Sequence, residues 1–227
     1  MDEEAQAAAA RLVRRLKGGY TVTIAESCTG GLLASTLTDI AGASAWFKQS
    51  WVTYSYEAKI QELDVSPELL EKKGAVSAEV AIQMAQGALA RANADIAISI
   101  TGIAGPGNDS STKKVGTVYV GIASNTWANA ESTQIGGNRS ENNIGFVHFA
   151  LLTAISLWDE AMEKAEANRK KLAEIETEKQ QARAAFEVER AKREAAAKQS
   201  APWQDESWSA ENTEEEDESI GEEVEWN

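Results

Sequence analysis

The sequence predicts an α/β domain built on a mixed, largely parallel sheet that helices cover on both faces. Three apolar segments predict buried strands, namely TVTIA at 21–25, DIAISI at 95–100 and VGTVYVGIA at 115–123. The segment at 77–92 has the apolar spacing of a helix, with Ser77 as a favourable N-cap. Strands separated by helices favour a parallel or mixed sheet, because the helices carry the chain back across it.

The composition changes after Trp158. Residues 159–200 are rich in Ala, Glu, Lys and Arg and contain neither Gly nor Pro, which predicts one long charged helix. Its apolar stripe is thin, consisting of Met162, Ala165, Leu172, Ile175, Ala182 and Phe186. Three alternatives therefore remain open for this helix: a solvated helix held by i,i+4 ion pairs, a coiled coil, or a helix that binds a protein partner. The predicted domains are 1–158, 159–200 and an acidic, disordered tail at 201–227 that shares the possible protein partner.

The charge distribution limits the range of partners. The net charge is −14, but residues 205–227 contain eleven acids and no Lys or Arg, so about −3 remains for residues 1–204. The negative electrostatic field of the acidic residues 205–227 would repel phosphates. Nucleic acid is therefore not an expected partner. Cys28 is the single cysteine, and neither a signal peptide nor a membrane span is predicted, which favours a cytoplasmic protein without a membrane partner. A lone Cys28 and a lone His148 make a poor ligand set, so neither a metal nor a cofactor is expected.

Two glycine-bearing segments follow predicted strands. AESCTGG occupies 25–31 and TGIAGPG occupies 101–107. Free N–H groups at a helix start bind anions, and the carboxyl ends of parallel strands gather ligands. The glycine spacing fits neither the phosphate loop nor the dinucleotide fingerprint. An ordinary strand-to-helix turn and a long flexible connection therefore remain the alternatives to a substrate site.

A third segment, GASAWFKQSWVTYSYEAK at 42–59, contains Ser44, Tyr54 and Lys59. Serine, tyrosine and lysine also act together in short-chain dehydrogenases, but the residue spacing and the position of the glycine loop differ, which excludes hydride transfer. A serine hydroxyl needs a neighbouring base, and His148 lies far away in the sequence. The candidates are a lysine with a lowered pKa, a tyrosinate, or no chemistry at all.

Five motifs occur in one order along the chain: AESCTGG, GAS-x2-F, VTYS-x2-AK, GAVS-x2-VA-x2-MA-x-GA and TGIAGP. In this combination the sequence closely resembles the CinA C-terminal domain family, the nicotinamide-nucleotide amidases, from about residue 5 to 158. The resemblance implies hydrolysis of the carboxamide of nicotinamide mononucleotide to nicotinate mononucleotide and ammonia. It also implies a stand-alone form, without the nucleotide-processing domain of the longer family members.

The resemblance assigns a role to ten residues. Ser44, Tyr54 and Lys59 are implied to be catalytic, with a neutral Lys59 accepting the Ser44 proton directly or through Tyr54. The implied substrate-binding residues are Ser27, Thr29, Gly30, Gly31, Thr101, Gly102 and Arg139. Helix-start amides near Thr29–Gly31 and the guanidinium of Arg139 are expected to hold the phosphate of the nucleotide substrate. A homo-oligomer is expected.

The sequence departs from the family pattern around these residues. The departures are Gln49, Ser50, Tyr56, Asn142 and Asn143, the last two in GNRSENN where the family has an arginine-richer stretch. A second phosphate contact is therefore expected to be missing. The alternative function is a weakly active or non-catalytic paralog that binds a nucleotide and acts through its C-terminal helix and tail.

Overall fold

The computed structural model describes residues 2–107 and 113–200. The chain divides into two compact units, Met1–Ala165 and Glu166–Asn227. The first unit contains the sheet and every predicted site residue. The predicted acidic tail, residues 201–227, lies outside the described residues.

The sheet described in the first unit has five strands in the order β2-β1-β3-β4-β5. Their bounds are β1 Val22–Glu26, β2 Phe47–Val52, β3 Ile96–Gly102, β4 Thr117–Ser124 and β5 Ala128–Gln134. β1 pairs in parallel with both β2 and β3, whereas β4 is antiparallel to β3 and to β5. The predicted mixed sheet is confirmed, and its parallel part is limited to the three strands β2, β1 and β3.

The described helices have the bounds α1 Glu3–Leu16, α2 Leu32–Thr38, α3 Tyr56–Leu63, α4 Pro67–Lys73, α5 Ala78–Ala92 and α6 Arg139–Ser200. Four of them, α1, α3, α4 and α5, begin at a side-chain cap. The side chains of Asp2, Ser55, Ser66 and Ser77 each accept a hydrogen bond from the backbone N–H three residues further on. The predicted helix at 77–92 with its Ser77 cap is confirmed. The predicted long C-terminal helix is also present, but it begins at Arg139, twenty residues before the predicted start at 159.

Helices cover both faces of the sheet, as predicted. On one face α1, α2 and the first part of α6 pack against branched side chains such as Ile24, Ile98 and Val120. On the other face α3, α4 and α5 pack against the small side chains of Ala25, Ala97 and Ala123. This alternation of large and small side chains along the strands follows from the period of two in a β-strand.

Two glycines permit the close packing of α5. A Cβ at Gly121 of β4 would lie 2.3 Å from the carbonyl oxygen of Ala81 in α5. A Cβ at Gly87, in the middle of α5, would lie 1.9 Å from the carbonyl oxygen of Leu63 in α3. Neither position has room for a larger residue, so these glycines set the distance of α5 from the sheet and from α3.

The helix at residues 139–199 contains an 18-residue window with a mean hydropathy of 1.3, which by length and composition alone would suit a membrane span. Within the protein, 44% of that window is buried, and Phe146, Leu151 and Ile155 belong to the core beneath the sheet. A core helix gives the same signal, and the absence of a membrane partner stays a prediction.

The described part of the second unit, residues 166–199, is helical and exposed along its length. Intrahelical ion pairs join Lys170 to Glu166 at 2.9 Å and Arg193 to Glu189 at 3.3 Å. These contacts agree with the solvated-helix alternative. Leu172 and Phe186 are 66% and 70% exposed, and the predicted coiled coil stays a prediction.

Candidate active site

The carboxyl end of β1 is the point at which the chain switches from one face of the sheet to the other. From β1 the chain reaches β2 through α2 on one face, and from β2 it reaches β3 through α3, α4 and α5 on the opposite face. Open α/β sheets bind ligands in the crevice at such a switch point. Ser27 follows β1, Thr53 follows β2 and Gly105 lies beyond β3, so three loops meet at this edge of the sheet.

Lys59 is the most unusual side chain at this edge, because it is fully buried in the first turns of α3. Its Nζ lies 3.0 Å from Ser27 Oγ and donates to the backbone oxygens of Thr53 at 2.6 Å and Tyr54 at 3.3 Å. Burial lowers the pKa of Lys59 from 10.5 to about 8, although its Coulomb interaction with Cys28 acts in the opposite direction. The neutral amine is therefore far more populated near neutral pH than that of an exposed lysine, although the protonated form still predominates.

The three oxygens around Nζ suit a neutral lysine amine. Such an amine has two N–H donors, which the carbonyl oxygens of Thr53 and Tyr54 can accept, and one lone pair. The lone pair is then left for the hydroxyl proton of Ser27. This arrangement is chemically suited to proton transfer from Ser27 to Lys59.

The residues after Ser27 contribute backbone donors rather than a second nucleophile. Burial raises the pKa of the Cys28 thiol to about 12, so this side chain stays protonated and unreactive. Within the described residues, the backbone N–H groups of Cys28 and Thr29 donate to no oxygen. They are available to an oxygen of a bound substrate.

Ser44 lies at the other end of β2 from this cluster. It is exposed on a short 3-10 helix, Ala43–Ala45, that precedes β2, whereas Tyr54 follows β2. Six residues of extended strand separate the two positions, which corresponds to about 20 Å at ~3.3 Å per residue. Within one chain the structure does not bring Ser44 to Lys59.

Tyr54 and Arg139 form a pair at the mouth of the site. Arg139 Nη2 donates to the Tyr54 hydroxyl oxygen at 2.7 Å, and Arg139 Nη1 donates to the carbonyl oxygen of Gly105 at 2.5 Å. Tyr54 is 58% exposed. Lys59 contacts the backbone oxygen of Tyr54 and not its side chain. The structure therefore brings Tyr54 to Arg139, and it shows no hydrogen bond from the tyrosine hydroxyl to Lys59.

The predicted anion site at the start of α2 is filled by the protein itself. The fully buried carboxylate of Glu26 accepts the backbone N–H groups of Gly31 at 3.1 Å, Leu33 at 3.1 Å and Ala34 at 2.8 Å. A negative side chain satisfies these helix-start donors as a phosphate would. Of the predicted amides near Thr29–Gly31, the Gly31 N–H is thus already paired, and the expectation that this stretch holds the substrate phosphate stays a prediction. Glu26, which the sequence analysis did not single out, instead fixes the turn that carries Ser27.

Thr29, Gly30 and Gly31 line a cavity of about 500 Å³ together with the first turns of α6, including Ser140 and Asn143. Thr29 Oγ1 and Asn143 Oδ1 are themselves buried, with almost no accessible area, and have no hydrogen-bond partner among the described residues. Asn143 was noted in the sequence only as a departure from the family pattern. Its position in a cavity wall depends on how α6 packs, which local sequence does not reveal.

Thr101 and Gly102 do not line this cavity. The buried hydroxyl of Thr101 donates to the carbonyl oxygen of Ala75 at 2.7 Å. A Cβ at Gly102 would lie 2.8 Å from the carbonyl oxygen of Thr117, so this glycine allows β3 and β4 to pair closely. The contacts of both residues are structural, and their predicted role in substrate binding stays a prediction.

Three of the departures from the family pattern also have structural contacts. The Tyr56 hydroxyl accepts the backbone N–H of Ala75 at 3.2 Å, and the backbone oxygen of Gln49 accepts the hydroxyl of Thr23 at 2.8 Å. Asn142 Nδ2 donates to the carbonyl oxygens of Ala104 and Gly137 at 3.0 and 3.1 Å, which ties the loop after β3 to α6.

Among the described residues, no group of three or more His, Cys, Asp or Glu side chains is placed to hold a metal ion.

The fold and the buried serine–lysine contact define an α/β domain with a polar crevice at the switch point of its sheet. The model of the CinA C-terminal domain family matches residues 5–157, and the chain belongs to that family. The resemblance over residues 5–158 is thereby confirmed.

Relatives with curated names include two called nicotinamide-nucleotide amidohydrolase PncC. The one from Enterobacter agglomerans is 48% identical over 138 residues, which cover 60% of this chain and 84% of the relative. The one from Escherichia coli strain K12 is 57% identical over 105 residues, which cover 46% of this chain and 64% of the relative. Others are longer proteins: a putative competence-damage inducible protein from Caldicellulosiruptor saccharolyticus is 51% identical, and the match spans only 30% of its length.

Solved structures show the same fold. The competence/damage inducible protein CihA from Agrobacterium tumefaciens has a TM-score of 0.66 and 39% identity, over 69% of this chain and 97% of that one. A CinA superfamily protein from Escherichia coli has a TM-score of 0.66 and 33% identity, over 69% of this chain and 92% of that one. The predicted α/β fold with a mixed sheet is confirmed.

Proposed function

We propose that this chain hydrolyses the carboxamide of nicotinamide mononucleotide to nicotinate mononucleotide and ammonia. The observation that carries the proposal is the 3.0 Å contact between Lys59 Nζ and Ser27 Oγ. The two relatives named as nicotinamide-nucleotide amidohydrolases support the choice of substrate. The chain spans about a third of the length of several other curated relatives, so their activities carry less weight.

In the proposed mechanism Ser27 is the nucleophile, in place of Ser44, and Lys59 is the base. Ser27 Oγ attacks the amide carbon while Lys59 accepts the hydroxyl proton. The oxygen of the tetrahedral intermediate accepts hydrogen bonds from the N–H groups of Cys28 and Thr29. Lys59 then returns the proton to the leaving nitrogen, and ammonia departs from a Ser27 ester. A water molecule, deprotonated by Lys59, attacks the ester; the acid is released as Ser27 leaves, and Lys59 returns the proton to the Ser27 oxygen.

Arg139 is proposed to bind the phosphate. Its contacts with Tyr54 and Gly105 hold the guanidinium at the mouth of the site, and its remaining N–H groups can pair with phosphate oxygens. Tyr54 is then a positioning residue for Arg139. Since Glu26 fills the helix-start amides of α2, Arg139 is the charged phosphate contact that the described site offers.

The remaining expectations stay part of the proposal. They are a homo-oligomer, a cytoplasmic location and a protein partner for the C-terminal helix and tail. The alternative function, a paralog that binds a nucleotide without chemistry, predicts the same substrate contacts and no ammonia.

The experiment that tests the proposal incubates the purified protein with nicotinamide mononucleotide and follows ammonia by a coupled assay and both nucleotides by chromatography. Ammonia and nicotinate mononucleotide are expected to appear in equal amounts and to be absent with Ser27→Ala. Binding of the nucleotide by calorimetry without release of ammonia would favour the non-catalytic paralog.

A further inference from the structure

Arg139, the proposed phosphate contact, is anchored by two oxygens on different parts of the chain. Its Nη1 donates to the carbonyl oxygen of Gly105 in the loop after β3, and its Nη2 donates to the hydroxyl oxygen of Tyr54. Tyr54 is exposed, so water can replace its hydroxyl as an acceptor. The direction of the guanidinium therefore depends mainly on how the loop after β3 lies relative to the start of α6.

The start of α6 is held in shape by its own residues. Asn138 Oδ1 accepts the backbone N–H groups of Ser140 at 2.9 Å and Glu141 at 3.1 Å. In return, Glu141 Oε2 accepts the backbone N–H of Asn138 at 2.8 Å. This reciprocal pattern is that of a capping box. It fixes the backbone on both sides of Arg139, but none of its three hydrogen bonds reaches the loop after β3.

Asn142, in the first turn of α6, supplies the connection between the helix and the loop. It is fully buried, and its Nδ2 donates to the carbonyl oxygens of Ala104 at 3.0 Å and Gly137 at 3.1 Å. Ala104 directly precedes Gly105, and Gly137 lies just before α6. Both acceptors are carbonyl oxygens, so the nitrogen of the amide and not its oxygen must face them. One side chain thus joins the two segments that also meet in the contact between Arg139 and Gly105.

The burial of Asn142 is unfavourable apart from these two contacts. Its Oδ1 is buried and has no hydrogen-bond partner among the described residues. A leucine of similar volume would avoid this unpaired acceptor, so packing alone favours an apolar side chain here. An apolar side chain would lack the two N–H donors. The chemistry of this position therefore points to the link between the loop and the helix.

We infer that Asn142 is a positioning residue that orients Arg139 for the phosphate of the substrate. By joining Ala104 to Gly137, it holds the carbonyl oxygen of Gly105 where the guanidinium of Arg139 meets it. The inference rests on the proposed amidase function, in which Arg139 binds the phosphate. It adds that the affinity for a phosphorylated substrate depends on a buried amide that does not itself contact the phosphate.

The test measures kcat and KM of Asn142→Leu and Asn142→Ala with nicotinamide mononucleotide and with the unphosphorylated nicotinamide riboside. Asn142→Leu keeps the volume and removes both donors, and Asn142→Ala carries the test if the leucine variant does not fold. Both variants should raise KM for the mononucleotide about 10-fold, as for a lost hydrogen bond to a charged group, and leave kcat unchanged. KM for the riboside should stay at the wild-type value. The control is Thr153→Val, at another buried polar residue of α6, which should change none of these values.

A double-mutant cycle tests whether Asn142 acts through Arg139. In a chain that already carries Arg139→Ala, Asn142→Leu should cause no further rise in KM for the mononucleotide, because the side chain that it orients is gone. Additive effects would overturn the inference. An equal rise in KM with the mononucleotide and the riboside would overturn it as well, since Asn142 would then only maintain the fold of the site.

Failure of the amidase function can be distinguished from failure of this inference. If the wild-type protein releases no ammonia, the amidase function fails, and calorimetry with nicotinamide mononucleotide tests the role of Asn142 by itself. Binding that weakens about 10-fold in Asn142→Leu but not in Thr153→Val supports that role. Equal binding by the two variants, or no binding to the wild-type protein, overturns it.

Discussion

Lys59 Nζ and Ser27 Oγ lie 3.0 Å apart, although 32 residues separate them in the sequence. The contact forms because β1 and β2 are parallel neighbours, so that the turn after β1 and the start of α3 meet at one edge of the sheet. The lysine is fully buried and its pKa falls to about 8. The proposed nucleophile and its proposed base, a pair that needs no histidine, are thereby placed side by side.

We predict that Ser27→Ala abolishes ammonia release, whereas Ser44→Ala leaves most of it. Removing a nucleophile typically lowers kcat by a factor on the order of 10⁴ or more. Ser44 is exposed at the far end of β2, so its substitution should change kcat/KM by less than about 2-fold, as for surface sites without special contacts. Circular dichroism confirms that both variants fold. The opposite pattern would return the nucleophile to Ser44, which would then have to reach the site of another copy of the chain.

We predict that kcat/KM rises with pH along a limb with a midpoint near 8, because only the neutral amine of Lys59 can accept a proton. Below that pH the rate should fall about tenfold per pH unit, since the neutral fraction falls at that rate. Lys59→Arg keeps a cation that does not deprotonate and should be inactive across the profile. An arginine variant with the wild-type rate and pH profile would show that Lys59 only positions the substrate.

The same pKa shift makes a prediction for stability. The pKa of Lys59 is about 8 in the folded protein and near 10.5 in the unfolded chain, so between these values the unfolded state binds more protons. Stability should therefore rise with pH through this window relative to Lys59→Met, which cannot titrate. The difference in unfolding free energy between the two proteins should change by about 2 kcal/mol from pH 7 to 9.5, as measured by urea denaturation. A difference that stays constant with pH would contradict the lowered pKa.

The sequence was most informative where strands are buried on both faces. β1, β3 and β4 are rich in apolar residues and were predicted, but β2 and β5 were not. These two are the edge strands, and their sequences FKQSWV and ANAESTQ mix polar and apolar residues because one side of each faces solvent. Edge strands of this kind carry too weak a pattern to be distinguished from loops.

Local sequence patterns are equally limited in predicting the candidate active site. Lys59 and Ser27 were both singled out, but their contact depends on strand pairing that no local pattern encodes. AESCTGG was predicted to offer helix-start N–H groups to an anion, and in the structure Glu26, at the end of β1, accepts the N–H groups of Gly31, Leu33 and Ala34. The N–H groups of such a turn can bind either a buried acidic side chain of the protein or a ligand. The direction of the acidic side chain decides between the two, and residue spacing in the sequence does not reveal that direction.

We predict that Glu26→Ala destabilises the protein by about 3–5 kcal/mol, because three backbone N–H groups at the start of α2 lose their charged acceptor. Glu26→Gln should cost less, since one amide oxygen can still accept from this turn. The control is Glu62→Gln, an exposed position in α3 that should change stability by less than about 0.5 kcal/mol. Urea denaturation measures all three, and a loss below about 1 kcal/mol for Glu26→Ala would contradict the structural role of the carboxylate.

Finally, we predict that a chain ending at Ala165 keeps its specific activity on nicotinamide mononucleotide. Every residue placed in the site precedes this point, and Met1–Ala165 forms a compact unit of its own. The described residues beyond it, 166–199, are exposed, so their removal takes no side chain from the core. The measurement is ammonia release, with thermal unfolding as the control for folding and light scattering for the oligomeric state. A folded but inactive short chain that has also lost its oligomeric state would show that the helix completes the site by holding two copies of the chain together.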